Sequence, residues 1–325
     1  MTKPNCLYVI PLAQIDLDAP ALELAAASNL DRLRDSLVEV GLLNPPWLRP
    51  QPGGQRYSVV TGARRLKLAA DLGWQEITAR LLPESTDDFA CLLVHLFDNA
   101  FTRGFNLWEQ AILAARLCEH GEHAAVASKY LPYLGLPPSP AHLARLLKLA
   151  TLEPPWPRLA AQGRLALTAG AVLAEWDRAD RDAAWPFFEG LRLSQSKQEE
   201  FLEQIALLAR REGRTPAGIL ADAELSHALT DPHRTPQERT EAVRRHLFRW
   251  FYPRLSAAQE AFASAVKKLG LKRTPRLRLQ PPAVFEGPDF HLEIKFRDAP
   301  ELQQLLAEIT RLAQEPDFAD LTRKY

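Results

Sequence analysis

The segment VVTGARRLKLAADLGW, residues 59 to 74, joins two incompatible periodicities across a Thr-Gly pair. Before the pair, Tyr57 and Val59 alternate with polar neighbours as strand residues do. After it, leucine and alanine recur at helical spacing until Gly73. The pattern predicts a strand, a turn at Thr61-Gly62 and a helix from Ala63 to Leu72. A chain that must switch period so abruptly is mixed α and β at this point, and the flanking sequence agrees. LYVIPL reads as a short strand. Leu30, Leu33, Leu37 and Val40 repeat at helical spacing, with Ser28 and Asp31 resembling a capping box and Gly41 where a left-handed C-cap is wanted. PPWLRP, the Gly53-Gly54 turn and RYSVV predict a hairpin, and EITARLL predicts a further strand.

The turn carries Arg64 and Arg65 into the first turn of its helix. Cations there oppose the helix dipole. The same helix start offers unpaired N–H groups, and a preceding glycine lets an anion approach the backbone. Two guanidinium groups add charge-assisted and bidentate donors, a combination suited to phosphate. The bland alternative is two exposed arginines in a good helix-forming context. With 40 Lys+Arg against 40 Asp+Glu the formal net charge is zero, so anion binding has to be local rather than the result of a global field. At 325 residues and 46% hydrophobic the chain can hold more than one cored domain. No run of about 18 apolar residues occurs, and the sequence predicts a cytoplasmic protein that makes no use of a membrane. Cys6, Cys91 and Cys118 fit reduced thiols.

TDDFACLLVHLFDNAF predicts a helix capped by Thr86, with Asp98 and Asn99 on its polar face. Taken in order, LRDSLVEVGLLNPPWLRP, YSVVTGARRLKLAADLGWQEITARLL and LLVHLFDNAFTRGFNLWEQA resemble the ParB N-terminal domain, the nucleotide-binding module of bacterial partition proteins, over residues 5 to 115. The resemblance implies a site for CTP and Mg2+. Its first loop would be Gly41, Asn44 and Pro45, and its turn Thr61, Gly62, Arg64 and Arg65. Asp98 and Asn99 would hold the metal, and Asn99 would also face the nucleotide. The sequence departs from the family at Ala63, where the family has a glutamate. Alanine can neither hold a metal nor move a proton, so hydrolysis loses that group. Asp98 is shorter than the family's glutamate, and Thr102 stands where its next arginine would be, with Arg103 one position later. Sulfiredoxin, a relative of the same architecture, needs a cysteine at the position Ala63 fills.

Beyond residue 105 the periodicity is helical. Asn106 with Glu109 resembles a capping box, and Ser139 with Pro140 opens SPAHLARLLKLATL. The succession resembles the central helix-turn-helix region of ParB and KorB proteins. His142, Arg145 and Lys148 are its candidates to reach DNA base edges, against the alternative of an ordinary packed helix pair. CEHGEH, residues 118 to 123, gathers potential metal ligands and reads as a solvated helix end. Between Lys267 and Arg278 lie six basic residues, Lys267, Lys268, Lys272, Arg273, Arg276 and Arg278, with no acidic one, the best candidate for phosphate-backbone contacts. PRLRLQ and FHLEIKFR predict strands, and APELQQLLAEITRLAQ a closing helix.

The fold class expected is α+β, mostly helical. Its parts are a nucleotide-binding domain at 1–105, a helix-turn-helix-like domain at 106–175, a helical region at 176–253 and an α+β unit at 254–325 that could dimerise. The function expected is that of a bacterial ParB-like DNA-binding protein, responsive to CTP and acting in chromosome or plasmid partition or related regulation, with DNA, a nucleotide and a second copy as partners. The alternatives are a small-molecule enzyme on the same fold, such as a kinase or nuclease, and a scaffold that has lost its nucleotide.

Overall fold

Gly62 decides the geometry of the N-terminal part. In the computed structural model, which describes residues 6–17, 30–271, 276–287 and 289–324, its φ is +85°, a left-handed conformation that glycine alone adopts without strain. The sheet leading to it contains β1 (Leu7–Pro11), β2 (Ile15–Asp16), β3 (Trp47–Pro50) and β4 (Tyr57–Val59), and β5 (Glu76–Leu81) follows the helix. Their spatial order is β1-β5-β3-β4-β2. β3 pairs antiparallel with β4 across the Gly53-Gly54 turn, and parallel with β5 in a register that sets Trp47 beside Arg80. β1 runs antiparallel to β5. The two-residue β2 alongside β4 has no signal in the sequence pattern.

Two helices follow from the periodicity already noted, α1 (Leu30–Val40) and α2 (Ala63–Asp71). Gly41 closes α1 at φ +69°, its N–H donating to the Leu37 carbonyl. The Ser28 half of the expected capping box lies outside the described residues. Leu66 and Ala69 of α2 are fully buried against Ile10, Leu48, Val59 and Ile77, which form the core of the mixed layer. Next comes α3 (Asp88–Ala100), capped by Asp87 rather than Thr86. The Asp87 carboxylate accepts from the Ala90 N–H at 2.7 Å, while the Thr86 N–H is used one residue earlier in a turn to Pro83.

The rest is helical, in agreement with the expected α+β, mostly helical class. α4 (Leu107–Glu119) opens on the Asn106/Glu109 capping box in both its hydrogen bonds. After α5 (His123–Lys129) and a 3-10 turn comes α6 (Pro140–Leu149), capped by the Ser139 hydroxyl. α6 buries Leu143, Leu146 and Leu149 and packs on α4 and on α8 (Leu167–Leu173), which follows the short α7 (Trp156–Ala161). α9 (Arg178–Gly190) and α10 (Gln195–Glu212) complete this part, with Trp156 edge-on to Trp185 and to Phe188, each at 5.3 Å.

The chain divides into two compact units, one of residues 1–206 with 215–217 and the other of 207–214 with 218–325. The second holds α12 (Ala223–Thr230), α13 (Pro236–Phe251) and α14 (Pro253–Lys268), reached through α11 (Pro216–Leu220) at the division. Pro253 separates α13 from α14, because the residue before a proline is disfavoured in the helical region and Tyr252 sits at φ −118°, ψ 64°. The antiparallel pair β6 (Leu277–Gln280) and β7 (His291–Ile294) then meets α15 (Ala299–Ala313) and α16 (Pro316–Lys324) around Phe262, Leu277, Leu305 and Leu312. α16 lies beyond the last helix that the periodicity indicates. No helix among the described residues is long and apolar enough to cross a membrane.

A Cβ at Gly62 would stand 2.8 Å from the Pro46 Cβ, whereas one at Gly54 (φ +68°) would meet nothing within 4 Å. Gly54→Ala should therefore cost only the left-handed penalty of about 1–2 kcal/mol. Gly62→Ala should cost clearly more, about 3 kcal/mol, because Pro46 is buried and part of the backbone must shift. Urea unfolding of both variants checks this, and equal losses would show that the approach to Pro46 carries no weight.

Candidate nucleotide-binding cleft

α2 begins with neither of the usual aids. Gly62 has no side chain to cap it, and its first turn holds no acidic residue. The free N–H groups of that turn instead border a cleft of about 520 Å³. Five arginines line it, Arg32, Arg64, Arg65, Arg80 and Arg103, against two carboxylates, Asp98 and Glu109. A formal +3 is thus concentrated in one cleft of a chain whose net charge is zero. A concave site with convergent donors and an excess of fixed positive charge suits a polyphosphate.

The five cations arrive from four places in the fold, Arg32 from α1 among them. Arg64 and Arg65 come from α2, and Arg65 Nη1 donates to the carbonyl of Asn44 in the loop after α1, closing that loop onto the turn. Burial lowers the pKa of Arg65, partly offset by Asp98. Arg80 comes from β5 and lies over the Trp47 ring at 5.4 Å. Arg103 sits in the corner between α3 and α4 with every donor group engaged. Its Nε donates to Asn99 Oδ1 at 2.9 Å, Nη1 to the Gly104 carbonyl and to Glu109 Oε2, and Nη2 to Glu109 Oε1 at 2.9 Å. Arg64 Nη2 reaches the same Glu109 Oε1 at 3.4 Å. Burial and the like charge of Arg103 push the Arg64 pKa down, opposed by Glu109.

His95, one turn before Asn99, also faces the cleft. Its Nδ1 lies 2.9 Å from the Val60 carbonyl, which can only accept, so Nδ1 carries the proton and Nε2 keeps its lone pair. Burial pushes its pKa down and holds the ring neutral.

Of the residues expected from sequence, Asn44, Pro45, Gly62, Arg64, Arg65, Asp98 and Asn99 line this cleft. Gly41 and Thr61 do not. Gly41 ends α1, and Thr61 is fully buried, its hydroxyl accepting from the Trp47 N–H at 3.3 Å. Among the described residues no three His, Cys, Asp or Glu converge as a metal site, CEHGEH included. Mg2+ commonly uses one or two carboxylates and completes its shell with phosphate and water. Asp98 fits that role. Asn99 is committed at both ends, Nδ2 donating to the His95 carbonyl and Oδ1 accepting from Arg103. Arg32, Arg80, Arg103 and Glu109 were not expected at the site. Only Arg103 carried a signal, as an arginine one place beyond the family position.

The candidate DNA residues are more scattered. Arg145 and Lys148 are exposed on α6, with Lys148 paired to Glu175, while His142 is half-buried with its Nε2 enclosed and unpartnered. Lys267 and Lys268 are exposed in the last turn of α14, where cations suit the helix dipole. Arg276 precedes β6 instead of sharing a strand face with Arg278, and pairs with Glu301 at 3.0 Å. Arg278 is exposed on β6, and Lys272 and Arg273 lie outside the described residues.

With this geometry in place, comparison with known proteins finds the ParB N-terminal domain over residues 5–100. The "Probable chromosome-partitioning protein ParB" of Coxiella burnetii is 25% identical over 226 residues, 68% of this chain and 70% of that protein. A C-terminally truncated chromosome-partitioning protein ParB from Caulobacter crescentus, solved with CTP-gamma-S, aligns over 56% of this chain and 98% of its own, at 23% identity and a TM-score of 0.26. The chromosome-partitioning protein Spo0J of Thermus thermophilus is 31% identical over 210 residues, 64% of this chain and 73% of its own length. On the strength of that last match and of the N-terminal domain, the chain belongs to the ParB family of partition proteins.

Proposed function

We propose that this ParB-family protein binds CTP with Mg2+ in the cleft at the start of α2, and that it binds DNA in the cytoplasm of a bacterium in the service of chromosome or plasmid partition. The observation that carries the nucleotide reading is the +3 of fixed charge gathered at a glycine turn and an uncapped helix start in a chain of net charge zero. Arg64 and Arg65 would meet the phosphates and Asp98 would hold the metal, which neutralises phosphate charge when bound. The choice of CTP rests on the family resemblance of the Gly41–Pro45 loop and the Gly62–Arg65 turn. Of the two carboxylates lining the cleft, Glu109 is held by arginines and Asp98 is assigned to the metal. Ala63 supplies no carboxylate where the family has a glutamate, so slow turnover or none is expected.

The domain reading follows the same lines, with nucleotide binding at 1–105, helix-turn-helix contacts at 106–175 and a helical region at 176–253. A dimer would form through 254–325. The pair β6 and β7 is a two-stranded sheet, and Leu292 of β7 is 39% exposed, which suits pairing with a second copy.

Replacing Arg64 or Arg65 by alanine should weaken CTP binding by about 1.5–3 kcal/mol, the range for hydrogen bonds to charged groups. Calorimetry on the full chain checks this, and unchanged affinity in a folded double variant would contradict the phosphate assignment. For DNA, Arg145→Ala with Lys148→Ala should lower the preference for a selected duplex over a random one, because base-edge contacts carry specificity. Neutralising Lys267, Lys268 and Arg278 should weaken both duplexes alike and flatten the salt dependence by roughly 0.9 per lost phosphate contact. A salt titration with both duplexes separates the two surfaces, and no duplex binding at low salt, with or without CTP, would reject DNA as the partner.

A further inference from the structure

We propose that Glu109 is a built-in competitor for the ligand's phosphates, and that Arg64 is the group exchanged between the two. The inference rests on the reading of the cleft as a polyphosphate site. Glu109 is a carboxylate only 1% exposed, yet it belongs to the lining of that cleft. A buried carboxylate is tolerated when paired and hydrogen-bonded, and Glu109 has more partners than it needs. Arg103 holds both its oxygens at 2.9 Å, and the Asn106 N–H adds a third bond at 3.0 Å. Arg64 adds a fourth contact at 3.4 Å, well outside the 2.7–2.9 Å of a strong charge-assisted bond.

The asymmetry decides which contact yields. Removing Arg103 would strand a buried charge, whereas removing Arg64 leaves Glu109 with a complete set of donors. Arg64 gains from leaving, since it shares one oxygen of Glu109 with a like-charged guanidinium. A phosphate in the cleft offers it an unshared anion. Glu109 therefore holds Arg64 back in the empty protein, and the affinity for a polyphosphate is set by the difference between the two partners.

Glu109→Gln removes the charge and keeps a residue that satisfies the capping box of α4. In the full chain, calorimetry with inorganic triphosphate and with CTP plus Mg2+ should show binding about threefold to tenfold tighter for Glu109→Gln than for the wild type. In an Arg64→Ala background the same change should bring no gain. Equal or weaker binding by a folded Glu109→Gln, or a gain that survives Arg64→Ala, overturns the proposal. Arginine side-chain nitrogen resonances of the wild type give a test without altering Glu109. Triphosphate should shift the Arg64 signals and leave those of Arg103 in place, and the reverse pattern overturns the exchange. A wild type that binds neither probe rejects the polyphosphate reading itself and the inference with it. A wild type that binds alongside an unresponsive Glu109→Gln rejects the inference alone.

Discussion

The ion pair between the part-exposed Arg103 and the buried Glu109 is the constraint around which the arginine-lined cleft is organised. Glu109 caps α4, and Arg103 ties the end of α3, through Asn99, to that cap. Glu109 is 1% exposed, so losing Arg103 would leave a buried carboxylate short of donors, a cost moderated by the solvent that reaches the 34% exposed Arg103. The corner between α3 and α4 is therefore fixed by the same side chains that border the cleft. His95 and Asn99 extend this linkage along α3, His95 by its bond to the Val60 carbonyl just before the glycine turn. A ligand that engages the arginines acts on the join between the mixed sheet and the helices that follow it.

Electrostatics shows how a neutral chain can still present a strongly positive cleft. Its cations are concentrated where backbone N–H groups are already unpaired, and the sheet places them there. The parallel pairing of β3 with β5 sets Arg80 beside Trp47, and the Gly62 turn sets Arg64 and Arg65 opposite the Asn44 loop. The candidate DNA contacts, by contrast, are scattered single residues, of which Lys148 is tied to Glu175 and Arg276 to Glu301. The two sets thus differ in kind, one gathering its charge in a single cleft and the other spreading it over separate elements.

Much of this was legible in the sequence where the information is local. The Gly41 cap, the α2 boundaries and the Asn106/Glu109 box each depend on residues within four positions of one another, and each was read correctly. Capping at Asp87 was missed by one residue, because Thr86 and Asp87 are both competent caps and the turn from Pro83 chose between them. Glu109 was legible as a cap but not as a counter-ion, since its second role depends on Arg64 from 45 residues earlier. Arg80 gave no signal at all, because its place in the cleft follows from strand register rather than from any motif. Pro253 itself marks the break at Tyr252, a local feature, and α14 starts there.

The central claim is that the arginine-lined cleft is a site for one nucleotide. The most direct measurement is equilibrium binding of CTP, ATP, GTP and UTP to the full chain, each with and without Mg2+ and with and without duplex DNA. The account predicts saturable binding of CTP at one site per chain, tighter than that of the other three and strengthened by Mg2+. Failure of all four to saturate under any of these conditions would contradict it.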